Sequence, residues 1–111
     1  MGTFVKGDVV VATFPFSDLS ASKGRPALVV ESFPKDPVIM CQITGQATND
    51  SVAVSLTNAD FKSGSLKTDS RIRPNYLFTA ESSVIAYRAG VVSEAKMQEV
   101  VGKIIEIVSA A

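Results

Sequence analysis

The sequence predicts a mainly β (α+β) fold, a small barrel or curled sheet with one C-terminal amphipathic helix. Short apolar runs recur between Val9 and Tyr87, separated by Gly, Pro, Asn and Asp at intervals of about 8–12 residues, the pattern of a small all-β sheet or barrel. After Ser93 the spacing changes: Met97, Val100, Val101, Ile104 and Val108 fall on one helix face. At 111 residues, 46% hydrophobic and 20% charged, the composition is globular. It reads as a single domain over 1–111, large enough to bury a core without disulfide or metal staples.

Lys6-Gly7-Asp8 reads as a turn, and Val9 to Phe14 as a first strand stopped by Pro15. Ser17 to Gly24 is a polar loop of small residues. A second strand over Ala27–Val30 closes at Pro34-Lys35-Asp36-Pro37. The third strand, Val38–Thr44, is the most hydrophobic. Side chains alternate in a strand, so Ile39, Cys41 and Ile43 share one face, and Met40, Gln42 and Thr44 the other. That second face turns polar toward one end, as suits a strand lining a cleft. Gly45 to Asp50 is a turn, and Val52, Val54 and Leu56 alternate as a half-buried strand should. Thr57 to Ser70 is a long polar segment with apolar islands at Phe61 and Leu66. Residues 70–73 and 76–79 read as strand pieces broken by Pro74-Asn75, and 84–87 as a further short strand. Ser93 is the expected N-cap of the terminal helix, with Glu94 in the first turn where the helix dipole favours an anion. The helix is expected to cover the open side of the sheet. Gly102 inside it costs about 1 kcal/mol against Ala, which points to close packing there.

Several function classes drop out. The chain contains no histidine, which removes His-based acid–base catalysis, Ser-His-Asp and Cys-His nucleophiles, and His metal ligands. One cysteine, Cys41, makes neither an internal disulfide nor a zinc site of the usual kind; inside an apolar run it reads as a small buried hydrophobe. No cofactor and no metal is expected. Eleven cations balance eleven anions, so any anion binding must come from a local patch. A neutral, apolar-rich chain has little colloidal repulsion and is expected to associate as a homodimer. The first residues lack the apolar region of a signal peptide, and no run of about 18 apolar residues exists to span a membrane. The expected location is cytoplasmic.

What remains is arginine. Gly24-Arg25-Pro26 runs straight into Ala27-Leu28-Val29-Val30, and Arg73-Pro74 repeats the device. Proline pushes the residue before it to an extended backbone, so each guanidinium is presented from a constrained position. If the two segments meet beside the polar end of Val38–Thr44, they make an anion site. The alternative is that both pairs are solvated loop ends.

Taken together, Gly7-Asp8-Val9-Val10, Phe14-Pro15-Phe16-Ser17-Asp18-Leu19, Lys23-Gly24-Arg25-Pro26-Ala27-Leu28-Val29-Val30 and Cys41-Gln42-Ile43-Thr44 closely resemble the PemK/MazF family. Ser70-Arg71-Ile72-Arg73-Pro74 and Leu77-Phe78-Thr79 fit the same pattern, and the match covers almost the whole chain in order. The resemblance implies an SH3-like β-barrel, usually homodimeric, acting as the toxin of a bacterial type II toxin–antitoxin pair. Many such toxins are metal-independent endoribonucleases, or mRNA interferases. They cut single-stranded RNA through attack of the 2′-hydroxyl on the neighbouring phosphate. A cognate antitoxin protein occupies the same surface. The family's catalytic Arg corresponds to Arg25, and the Thr closing its third-strand motif to Thr44. Where one branch carries Arg-X-Asp, this chain has Arg73 and Asn75. Gly24 stands where some members have an acidic residue.

The expected site is therefore Arg25 and Thr44 as catalytic groups, with Arg73, Phe16, Ser20, Lys23 and Gln42 contacting RNA. A fixed guanidinium offers paired, charge-assisted hydrogen bonds to a phosphorane that carries more charge than the ground state. Asp18 and Asp69 are candidates for the base by loop position alone. Phe16, Phe61 and Tyr76 are aromatic candidates for base stacking, against core or interface packing. Two readings of other classes stay open: a non-catalytic toxin that inhibits gyrase as a protein binder, and a peptide-binding regulatory barrel.

Overall fold

The computed structural model describes residues 4–13, 24–34, 37–45 and 51–110. Among the described residues seven strands form: β1 (Asp8–Thr13), β2 (Gly24–Ser32), β3 (Val38–Thr44), β4 (Val54–Leu56), β5 (Phe61–Gly64), β6 (Ser70–Ala80) and β7 (Ile85–Val92). The helix α1 (Glu94–Ser109) follows. The strands make one sheet in the order β4-β6-β3-β2-β1-β7-β5, every pairing antiparallel.

The two outermost strands are consecutive in sequence, joined only through the 3₁₀ turn Asn58–Asp60. Seven flat strands at about 4.8 Å spacing would set their edges nearly 30 Å apart. The connection from Leu56 to Phe61 reaches no more than about 17 Å. The sheet must therefore curl into a half-barrel. Val54 and Leu56 beside one edge and Val92 beside the other accordingly meet in one buried cluster with Val9, Leu28, Cys41 and Ile72. Met97 and Val100 of α1 complete it. Each fully buried aliphatic side chain of this size stabilises the fold by about 1.5–3 kcal/mol. A second cluster, Val10, Ala27, Val29, Val38 and Met40, lies on the opposite sheet face. The division of β3 follows the expected alternation: Cys41 and Ile43 enter the first cluster, Val38 and Met40 the second.

Ser93 caps α1 as expected, its hydroxyl accepting from the Lys96 amide at 3.2 Å. The apolar stripe fades along the helix, from buried Met97 and Val100 to Val108, 70% exposed. Gly102 corrects the expectation of close packing: a Cβ there would meet nothing within 4 Å. Lys96, which sequence spacing leaves on a polar position, is buried and donates to the Ser55 carbonyl at 2.8 Å and the Glu99 carboxylate at 2.9 Å. It ties the helix to the strand β4.

Several strand limits differ from expectation, β1 and β4 by one or two residues. β2 begins at Gly24, so Arg25 and Pro26 lie inside the strand. Pro26 pairs with Val11 of β1, and the β2–β3 ladder starts one residue later, at Ala27. The segment after Thr57 contains a strand, β5, whose sequence Phe-Lys-Ser-Gly carries no alternating signal and is held by pairing with β7. β7 runs on past the expected 84–87 through Gly90 to Val92. At Gly90 a Cβ would stand 2.5 Å from the Ser63 carbonyl and 2.9 Å from the Phe61 ring, so glycine is what lets β5 cross. Residues 14–23 and 46–50, with the candidates Phe16, Asp18, Ser20 and Lys23, lie outside the described residues.

Candidate active site

Arg25 sits in the second position of β2, opposite Ala12 of β1, with its side chain exposed. The extended backbone that Pro26 demands is the backbone the sheet supplies. On the other side of β2, Ala27 pairs with Gln42 of β3. The β2–β3 pairing stops at that rung, and Arg25 and Thr44 come together as walls of one pocket. Thr44 pairs with Arg71 of β6, and Gln42 with Arg73, so these four side chains share one face of the sheet. Arg71 is the residue sequence reasoning quoted without giving a role; its signal was the two-residue spacing from Arg73, which places both on one strand face.

Pro74-Asn75 does not break β6 into two strands. The register jumps instead, from Gln42–Arg73 to Cys41–Leu77, leaving Pro74, Asn75 and Tyr76 without partners on β3. Pro74 is fully buried and anchors this bulge, while Tyr76 is 45% exposed. Bulges of this kind re-aim side chains beside a site. Here the guanidinium of Arg73 lies over the Tyr76 ring, its Cζ 3.6 Å from the centroid. The Nη1 of Arg73 donates to the Oε1 of Gln42 at 2.9 Å. Arg73 is thus clamped from two directions.

Arg25, Pro26, Gln42, Thr44, Gly45 and Arg73 line one pocket of about 300 Å³. Among its described lining residues the charged groups are both cations, so it offers guanidinium, amide and hydroxyl donors to an anion. A larger cavity of about 620 Å³ adjoins it across Pro26 and Gly45, with Lys67 and Tyr87 in its wall. Of the two carboxylates weighed as a base, Asp69 is exposed at the foot of β6 and does not line the pocket, and Asp18 lies outside the described residues. Phe61 is half-buried against the larger core, away from the arginines. Cys41 sits in the larger core cluster, and burial pushes its thiol up to about 12. A second buried acid, Asp8, pairs with Arg88 at 3.0 Å and accepts from the Val5 amide, which fixes the turn into β1. Among the described residues no helix is long and apolar enough to cross a membrane.

The sequence profile of the family described as PemK-like, MazF-like toxin of type II toxin-antitoxin system matches residues 5–108. The chain belongs to the PemK/MazF toxin family. A search of curated protein sequences finds no match. Solved structures show the same fold. A MazE–MazF crystal structure from Deinococcus radiodurans aligns with TM-score 0.77 at 16% identity, covering 100% of both chains. A mycobacterial endoribonuclease in complex with its cognate antitoxin gives 0.75 at 13% identity over 100% of this chain and 98% of that one. The Mycobacterium tuberculosis toxin MazF-mt6 gives 0.73 at 13% identity over 94% and 98%. In this PemK/MazF chain the two Arg-Pro pairs are not loop ends: both arginines stand within paired strands, at one pocket.

Proposed function

We propose that this chain is the toxin of a type II toxin–antitoxin pair and cuts single-stranded RNA without a metal ion. The observation that carries the reading is the convergence of Arg25, Thr44, Gln42 and Arg73 on one pocket with no carboxylate among its described lining residues. In the proposed reaction the 2′-oxygen attacks the adjacent phosphorus. A 2′-O–P bond forms as the O2′–H bond breaks, the P–O5′ bond breaks, and O5′ takes up one proton for the one that O2′ releases, so the products are a 2′,3′-cyclic phosphate and a 5′-hydroxyl. Arg25 donates two charge-assisted hydrogen bonds to the equatorial oxygens as charge builds there, and Thr44 adds a hydroxyl donor. Arg73 and Gln42 hold the neighbouring nucleotide, and the sequence candidates Phe16, Ser20 and Lys23, which lie outside the described residues, complete the RNA contacts. Single-stranded RNA suits the site because its bases can splay and its 2′-hydroxyl can reach in-line geometry. A cognate antitoxin covering this surface, a homodimeric assembly and a cytoplasmic location belong to the same reading.

The test is incubation of the purified protein with end-labelled RNA in EDTA. Cleavage with 5′-hydroxyl and cyclic phosphate ends is expected. Cleavage lost in EDTA and restored by Mg²⁺ overturns the mechanism. No cleavage under either condition returns the chain to a non-catalytic protein binder.

A further inference from the structure

We propose that Arg71, with the Ser55 hydroxyl beside it, binds the RNA phosphate next to the scissile one and leads the strand out of the pocket toward the β4 edge. The proposal rests on the nuclease reading above and deepens it by assigning a second phosphate subsite.

Three observations carry it. First, Arg71 stands between Ser55 of β4 and Thr44 of β3, each its direct cross-strand partner. Direct partners lie about 4.5–5.5 Å apart and point to the same face. Val54, Leu56, Ser70, Ile72 and Ile43, the residues that alternate with these three, are all buried, so Ser55, Arg71 and Thr44 point away from the core. Thr44 lines the pocket with Arg25, and Arg71 does not, so the row leads away from the reacting phosphorus. One strand spacing, about 4.8 Å, leaves no room for an intervening nucleotide. A phosphate on Arg71 is therefore the next one along from a phosphate held at Thr44. Second, the Arg71 side chain is exposed and makes no hydrogen bond, ion pair or ring contact among the described residues. Asp69, two residues back, precedes the strand and forms no ion pair with it. Its planar fork is left to offer paired, charge-assisted hydrogen bonds to a phosphate. Third, the far end of the row is held still. β4 is only three residues long, but Lys96 donates to the Ser55 carbonyl at 2.8 Å and pins that edge to α1. The Ser55 hydroxyl is thus presented beside Arg71 from a fixed backbone. A contact to a phosphate that does not react is made equally in ground and transition states, so its loss falls on affinity rather than on the chemical step.

The experiment titrates the wild type, Arg71→Ala and Arg71→Lys with a single-stranded, uncleavable 2′-O-methyl oligonucleotide across a salt series. The oligonucleotide matches the best-cleaved RNA, or is of mixed sequence when no RNA is cut. The titration is repeated with copies in which one phosphate at a time is a neutral methylphosphonate. Single-turnover rates on cleavable RNA and melting temperatures are measured alongside. Arg71→Ala should bind about 3–10-fold more weakly at low salt and lose about 0.7 from the slope of log K against log salt, the share of one single-strand phosphate. The loss should appear in KM and not in the rate at saturation, with the melting temperature held. Arg71→Lys should keep most of the affinity, because a phosphate also accepts a point charge. In the wild type, a methylphosphonate at one phosphate adjoining the cut should weaken binding; in Arg71→Ala the same replacement should cost nothing more. Wild-type affinity and salt slope in Arg71→Ala, or undiminished sensitivity at every phosphate, overturns the proposal, as does a fall confined to the saturated rate. Arg71-dependent binding without RNA cleavage sinks the nuclease reading and leaves the phosphate subsite standing. Cleavage with binding that ignores Arg71 does the reverse, and absence of both removes the two together.

Discussion

Arg25 and Arg73 differ in how they are held, and that difference predicts different mutant behaviour. Arg25 is exposed at the pocket rim; Arg73 is clamped by Gln42 and Tyr76. Arg25→Ala should cut the single-turnover rate by at least about 10², with affinity falling much less. Arg25→Lys should not rescue, since Lys keeps the charge and loses the planar fork. Arg73→Ala should weaken binding and flatten its salt dependence, measured across a salt series, as loss of a phosphate-side cation does. A lysine variant that cleaves at the wild-type rate reduces Arg25 to a simple cation. Cys41 makes a prediction of its own. Burial raises its thiol from 9.0 to about 12 in the folded chain. Between those values the unfolded chain has released the proton and the native chain has kept it, so the contribution is intact below pH 9 and is lost as pH climbs toward 12. Thermal melts of wild type and Cys41→Ala should converge over that window. At neutral pH the native thiol should resist alkylation and react only after denaturation.

At the level of elements, what the sequence made legible was whatever local chemistry decides. The limits of β3, its division into two faces, the Ser93 cap and the extended state of Arg25 each follow from alternation, capping or proline sterics within a few residues. What it concealed depends on partners far along the chain. β5 exists because β7 pairs with it, the bulge at Pro74 because β3 slips past, and the burial of Lys96 because Ser55 and Glu99 await it. The site shares this division: the Arg-Pro pairs were readable, while the placement of Arg71 and the Arg73–Tyr76 stack needed the register. Two glycines test the same contrast. Gly102→Ala meets open space and should raise stability by about 1 kcal/mol in denaturant unfolding. Gly90→Ala drives a methyl into Phe61 and the Ser63 carbonyl, and should lower it by about 1–3 kcal/mol. Equal effects at the two positions would contradict the packing described.

For the whole molecule, the apolar side chains left uncovered matter most. Ile105 and Val108 on α1 and Leu77 and Tyr87 on the sheet are each at least 40% exposed on a chain of zero net charge. A homodimer burying at least about 1,000 Å² is expected, and a monomer mass in solution scattering at micromolar concentration would refute it.

The pairing of β1 with β7 sets Val10 beside Arg88, across most of the chain. During synthesis β1 leaves the ribosome first, followed by the β2–β3 hairpin with Arg25 and Thr44. β6 with Arg73 follows, and the strand that flanks β1 comes later still. Such distant pairing is slow to form, because loop closure precedes the contacts that reward it. A nascent or prematurely released fragment thus carries the motif residues on an unclosed sheet. Translation must pass residue 92 before the pocket stands on a finished scaffold.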